Sequence, residues 1–157
     1  MAMHTEIERK FIVDTSMWEP KGQGEQYKQG YISVHPERAV RVRIAGQSAF
    51  LCIKGKASNF SRREFEYGIP VSDAEQMLKL FCKRPPIEKR RHKEIHHGKL
   101  WEIDVFQAEN DGLVLAEVEL ESEGEEIILP DFASREVSSD ERYLNSNLYR
   151  MPFIRWR

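Results

Sequence analysis

The chain has 157 residues, 40% hydrophobic and 32% charged, with a formal net charge of -2. That length favours one domain, residues 1–157, with a buried core, and the composition excludes a disordered polar chain. The slightly acidic balance argues against a nucleic-acid coat, no apolar run approaches the roughly 20 residues of a membrane span, and Cys52 and Cys82 lack the CxxC spacing of a zinc site or a disulfide scaffold. The expectation is a cytoplasmic protein with no nucleic-acid or membrane partner, because Glu6, Glu8, Arg9 and Lys10 also interrupt any signal-peptide pattern.

The first element, "TEIERKF" (5–11), alternates. Glu6, Glu8 and Lys10 point one way, and Ile7, Phe11 and Val13 point the other. "TSMWEP" (15–20) predicts a short helical piece ended by Pro20, and "PKGQGEQ" (20–26) a loop. Strand-type alternation then recurs in "YKQGYISV", "ERAVRVRIAG", "SAFLCIKGKA" and "RREFEYGIPV". Within these, Arg41 and Arg43 share a face, Lys54 shares one with Lys56, and Glu64 shares one with Glu66. "SDAEQMLKLFC" predicts a helix opened by a capping box from Ser72 to Glu75.

Three further strands follow in "IEKRRHKEIHH", "LWEIDVFQA" and "LVLAEVELES". Lys89 and Arg91 share a face with Ile87, Glu102 shares one with Asp104, and Glu117 shares one with Glu119 and Glu121. "SSDERYLNSNLY" predicts a second helix with Ser138 as its cap and Glu141 three residues on. The count is about eight strands, which suits a small closed antiparallel barrel.

An ordinary sheet with one wet face explains any single strand. The series is harder to explain that way, because successive strands carry doublets of one sign, and like charges two apart repel unless an opposite charge lies between them. Carboxylate doublets suit a divalent cation with oxygen ligands, and Arg and Lys doublets suit phosphate oxygens. Together they predict an inverted barrel, charged inside and apolar outside, whose desolvation cost implies a ligand.

"EIERK" resembles the ExExK signature of the CYTH domain, the triphosphate tunnel metalloenzyme family. "RVR", "IKG", "EFE", "KRR", "EID" and "EVE" follow in the family's order, and "SDERYLNSNL" is similar to the end of its short bacterial members. The resemblance implies an α+β fold, mainly antiparallel β: an eight-stranded tunnel with a charged interior and a few flanking helices. It also implies metal-dependent hydrolysis of inorganic triphosphate to pyrophosphate and phosphate with Mg2+ or Mn2+, and weaker nucleoside or thiamine triphosphatase activity. A class IV adenylate cyclase and a non-catalytic polyphosphate binder are the alternatives.

On that reading Lys10, Arg41, Arg43, Lys54, Lys89 and Arg91 bind the phosphate chain, and Glu6, Glu8 and Glu119 hold a metal. Glu64, Glu66, Asp104 and Glu117 hold or orient a second metal or its water. Tyr31, Lys54 and Lys10 are the catalytic candidates, and the resemblance pairs Tyr31 with Lys54 beside the attacking water or the leaving oxygen. Glu102, Glu121 and Lys56 read as charges at the mouth, His92, His96 and His97 as surface residues, Tyr27 as packing, and Cys52 as no nucleophile. The expected partner is a small triphosphate, and the expected assembly a monomer or homodimer. Phe153 and Trp156 are expected to cover a tunnel mouth or to meet another subunit.

Overall fold

The computed structural model describes residues 5–56 and 61–156. Ala57, the last residue of the predicted fourth strand, lies outside the described residues, as do the outermost residues of the predicted 1–157 domain. The alternating segments form β1 (Thr5–Val13), β2 (Glu25–Ser33), β3 (Ala39–Ala45), β4 (Ser48–Lys56), β5 (Ser61–Ile69), β6 (Ile87–His96), β7 (Lys99–Phe106) and β8 (Val114–Glu119). A ninth strand, β9 (Ala133–Glu136), was not expected. Its four residues, only one of them half-buried, carry no alternation to read.

The strands pair antiparallel in the order β5-β4-β3-β2-β6-β7-β8-β1, and β1 returns to β5 to close an eight-stranded barrel. Closure rests on a short seam, Thr5, Glu6 and Ile7 against Arg63, Arg62 and Ser61. Two tight turns carry the backbone their residues allow. Gly46 takes φ 58° between β3 and β4, and His97 and Gly98 take φ 49° and 75° between β6 and β7, the primed geometry that matches strand twist.

The helices need three corrections. α1 (Val71–Leu80) begins one residue before the expected cap, so Ser72 already lies in its first turn and makes no capping bond. The Pro70 carbonyl accepts from the Asp73 and Ala74 amides instead, both at 3.1 Å. "TSMWEP" is a turn rather than a helix, because the Asp14 carboxylate accepts from the Ser16 amide (2.9 Å) and hydroxyl (2.6 Å). The predicted last helix is broken into a 3₁₀ turn, Glu141–Tyr143, and α2 (Asn145–Arg150). Asp140, not Ser138, caps the turn by accepting from the Arg142 amide, while Ser138 accepts from the Lys10 amide of β1 at 2.9 Å.

Apolar residues gather in three places. Outside the barrel, Phe11, Trp18, Trp101, Ile103, Ala116, Val118 and Phe132 pack together under the segment that leads to β9. Val42 and Ala49 pack outside against Ala74 of α1. The helix comes so close that a Cβ on Gly30 would meet Leu78 at 2.9 Å and the Cys82 sulfur at 3.0 Å. The third cluster lies inside. Tyr31, Ile87, Phe106 and Leu115 are on the lumenal face and join Tyr143, Leu148 and Tyr149 of the C-terminal segment. The barrel interior is therefore charged over part of its length and plugged by apolar side chains at one end. Phe153 and Trp156 pack on the outer side of that plug. No helix among the described residues is long and apolar enough to cross a membrane.

Candidate active site

Strand register decides which charges meet. Across the β1–β8 seam Glu8 lies opposite Glu119 and Lys10 opposite Glu117. Arg41 on β3 faces Tyr31 on one side and Cys52 on the other, and Lys54 faces Glu64. Arg91 faces Asp104, and Lys89 faces Phe106. All of these lie on the inner face.

The deepest group is Asp104, fully buried, with Lys89 Nζ donating to Oδ2 at 2.6 Å. Arg91 donates to both of its oxygens, Nε to Oδ1 at 2.7 Å and Nη2 to Oδ2 at 2.8 Å. Burial alone would raise the Asp104 pKa, but Arg91 and Lys89 hold it below the usual carboxylate range. Burial pushes Lys89 down to about 8, and Arg91 adds to that although Asp104 opposes it. Arg91 also donates to Glu102 at 2.9 Å and approaches Glu117 at 3.6 Å. Lys10 bonds Glu117 at 3.2 Å and the Tyr143 carbonyl at 3.2 Å, which ties the C-terminal segment to the lumen. Burial would raise the Glu117 pKa, but Lys10, Arg91 and Lys89 overcome that and pull it far down.

Nearer solvent, Lys54 donates to Glu6 at 2.6 Å and lies 3.8 Å from Glu64. Arg41 lies 3.7 Å from Glu64 and 3.5 Å from Glu66, and Arg43 donates to Glu66 at 3.2 Å. Glu8 makes no ion pair among the described residues, and Lys10 and Lys54 offset its surroundings only in part. Burial, then Glu117 and Glu6, push its pKa up to about 7. Glu119 is raised too, by burial and by Glu6, Glu102 and Glu64. Glu6, Glu64, Glu66 and Glu119 line a cleft of about 310 Å³ with Thr5. A larger cavity of about 580 Å³ lies against α2 and the C-terminal turn and contains none of these carboxylates.

The expected site residues thus converge on one interior, with qualifications. Tyr31 and Lys54 share no hydrogen bond among the described residues. Tyr31 packs on Tyr149 with ring centres 5.5 Å apart, while Lys54 turns to Glu6. Glu6, Glu8 and Glu119 are not gathered into a tight ligand set. Among the described residues, the three ligand atoms that come within 4.8 Å of one another belong to Cys52, Glu64 and Glu66. The Cys52 thiol donates to Glu64 at 3.0 Å, and burial pushes its pKa up to about 12, so it is a poor nucleophile.

His92 is buried rather than on the surface, edge-on to Trp18 with centres 5.5 Å apart. Tyr27 does more than pack, since its ring lies 5.0 Å from the Arg91 guanidinium, 5.3 Å from that of Arg43 and 5.9 Å from the Lys89 ammonium. Sequence reasoning passed over Gln29 altogether. The period of two that sorted the charges places it between Tyr27 and Tyr31 on the inner face of β2.

The sequence profile of the CYTH domain matches residues 4–148. The chain belongs to the CYTH domain family. An inorganic triphosphatase of Acetivibrio thermocellus is 44% identical over 151 residues, 96% of this chain and 97% of that protein. One of Nitrosomonas europaea is 35% identical over 150 residues, 92% of this chain and 96% of that protein. The solved structure of the inorganic triphosphatase NE1496 matches with a TM-score of 0.65 at 32% identity, covering 95% of this chain and 97% of that one. The barrel described above is thus a CYTH barrel.

Proposed function

We propose that this CYTH protein hydrolyses inorganic triphosphate to pyrophosphate and phosphate with Mg2+ or Mn2+. The observation that carries the reading is the interleaving of carboxylates with Lys and Arg on one enclosed face, supported by relatives of nearly equal length named inorganic triphosphatase. A carboxylate-rich donor set fits a hard cation such as Mg2+ or Mn2+. Glu6, Glu8 and Glu119 would hold it, with Glu64 and Glu66 across the cleft. When bound, such a cation neutralises phosphate oxygens and makes its water acidic enough to attack phosphorus.

The protein's own groups do the rest. Arg41 and Arg43 exchange Glu66 for phosphate oxygens, which their guanidinium forks can grip two at a time. Lys54 and Lys10 act as point charges that follow the negative charge as it moves to the leaving oxygen. Asp104 takes a different part from the one expected of it. With both oxygens already held by Lys89 and Arg91, it anchors those cations and is not free to ligate. Tyr31 packs on Tyr149 and acts on the Arg41 guanidinium, whereas Lys54 lies against Glu6, so Lys54 carries that role more directly.

The test is phosphate release from tripolyphosphate, ATP and thiamine triphosphate, with and without EDTA. The expected result is EDTA-sensitive release that favours tripolyphosphate by at least about tenfold, a discrimination of ~1.4 kcal/mol. A smaller preference overturns the substrate, and EDTA-resistant turnover overturns the metal.

A further inference from the structure

Four side-chain atoms on the inner faces of β2 and β3 are buried without a hydrogen-bond partner among the described residues: Gln29 Oε1, Gln29 Nε2, Arg41 Nε and Arg43 Nε. Buried polar atoms are nearly always paired, so such a group calls for a cause. Gln29 is completely buried. The register sets it opposite Arg43 on β3 and opposite Ile87 on β6. Tyr27, its neighbour on the same face, touches the Arg43, Lys89 and Arg91 cations, and Tyr31 on its other side belongs to the apolar plug. Gln29 therefore lies where the charged part of the lumen meets its closed end.

The chemistry of these atoms is unbalanced. Gln29 Nε2, Arg41 Nε and Arg43 Nε are all donors, and Gln29 Oε1 is the one acceptor among them. One acceptor cannot satisfy three donors. What completes them is a group rich in acceptors and without donors, and an ionised phosphoryl group is such a group. A nucleoside, with its amines and hydroxyls, brings further donors. The indole Nε1 of Trp101 is also unpartnered, but it belongs to the outer apolar cluster and makes no part of this set.

We infer that Gln29 is a substrate-contacting residue, and that with Arg41 and Arg43 it forms a subsite for a phosphoryl group where the charged part of the lumen meets the apolar plug. In that subsite Nε2 donates to a phosphoryl oxygen while Oε1 accepts from a guanidinium N–H. The neutral amide adds directional contact without adding charge. It fixes where the phosphoryl group stops, next to cations that would otherwise hold it in several positions. The inference rests on the triphosphatase reading and names one more residue of that site.

The experiment compares wild type, Gln29→Met and Gln29→Glu. The readouts are thermal unfolding without ligand, calorimetric binding of tripolyphosphate with Mg2+, and steady-state phosphate release. Met keeps the shape and removes both polar atoms, so the ligand-free melting temperature should hold or rise. Tripolyphosphate binding should weaken by tenfold or more, with KM rising in step. Glu keeps the acceptor, loses the donor and repels phosphate, so its binding should weaken further than that of Met while the ligand-free protein stays folded. A Gln29→Met protein that binds within twofold of wild type overturns the inference, as does a Gln29→Glu protein that binds as wild type does. A wild type that fails to bind tripolyphosphate overturns the triphosphatase reading and this subsite with it.

Discussion

Arg91 clasps Asp104 through two hydrogen bonds of 2.7 and 2.8 Å, and Lys89 closes on the same carboxylate at 2.6 Å. One fully buried carboxylate thereby holds two cations, themselves 7% and 1% exposed, against the inner wall. The arrangement is costly unless complete, since each buried charge depends on the others for its solvation.

Asp104→Asn should therefore be among the most damaging isosteric changes in the barrel. It keeps the shape and leaves Lys89 and Arg91 without their shared counter-charge. The expected loss is about 3–5 kcal/mol. For a chain of this size that lowers the melting temperature by roughly 6 to 20 °C. A shift of only a degree or two in thermal unfolding would show that Glu117 and Glu102 suffice to hold Arg91.

Glu6→Gln should behave in the opposite manner. The Glu6–Lys54 pair is partly open to water, with side chains 24% and 18% exposed, so its removal should cost less than about 1 kcal/mol of stability. Activity should suffer instead. The Mg2+ concentration for half-maximal phosphate release should rise at least about tenfold, the scale on which weakened metal sites respond. An unchanged metal requirement would remove Glu6 from the metal site.

Much of the barrel could be read from side-chain period alone. Glu6, Glu8 and Lys10, or Arg41 and Arg43, sort to one face because a strand leaves no other choice, and closure then brings those faces together. The partners within the lumen were not legible. Asp104 looks like any other carboxylate of a doublet until register sets it across from Arg91. The short elements failed for local reasons. Asp14 and Asp140 each satisfy nearby amides through their own carboxylates, which replaces a helix start with a turn or a single 3₁₀ turn. The apolar plug was missed because Ile87, Phe106 and Leu115 sit on different strands, each the odd apolar residue on an otherwise charged face, and because Tyr31 reads as a catalytic group.

Glu8 makes the site sensitive to pH. Its ordinary value of 4.5 is raised to about 7 in the folded protein. Between those values the folded state binds more proton than the unfolded state. The metal-free protein should therefore lose stability through this group as pH rises across that window. Metal binding needs the ionised carboxylate and should respond in the other direction. Calorimetric Mg2+ affinity should be weaker at pH 6 than at pH 8, and Glu8→Gln should flatten the dependence as well as weaken binding. Equal slopes for wild type and variant would assign the titration to another group.

The closed end of the lumen should be structural, and Leu148 is the residue that tests it. Leu148 lies in α2, is completely buried, and packs with Tyr31, Ile87, Phe106 and Leu115 from the barrel wall and with Tyr143 and Tyr149 from the C-terminal segment. Leu148→Ala removes three carbons from this plug, and the loss should be about 2–5 kcal/mol, near the upper end if the rings around it cannot close the gap. The lumenal cations meet the plug at two points: the Tyr143 carbonyl accepts from Lys10 Nζ at 3.2 Å, and Lys89 Nζ lies 5.4 Å from the centre of the Phe106 ring. Phosphate release per folded molecule, measured well below the lowered melting temperature, should fall less than about tenfold, which is ~1.4 kcal/mol of transition-state stabilisation. A variant that melts like wild type would mean the plug contributes little to stability. One that stays folded yet loses activity a hundredfold would mean that the C-terminal segment positions Lys10 for the reaction.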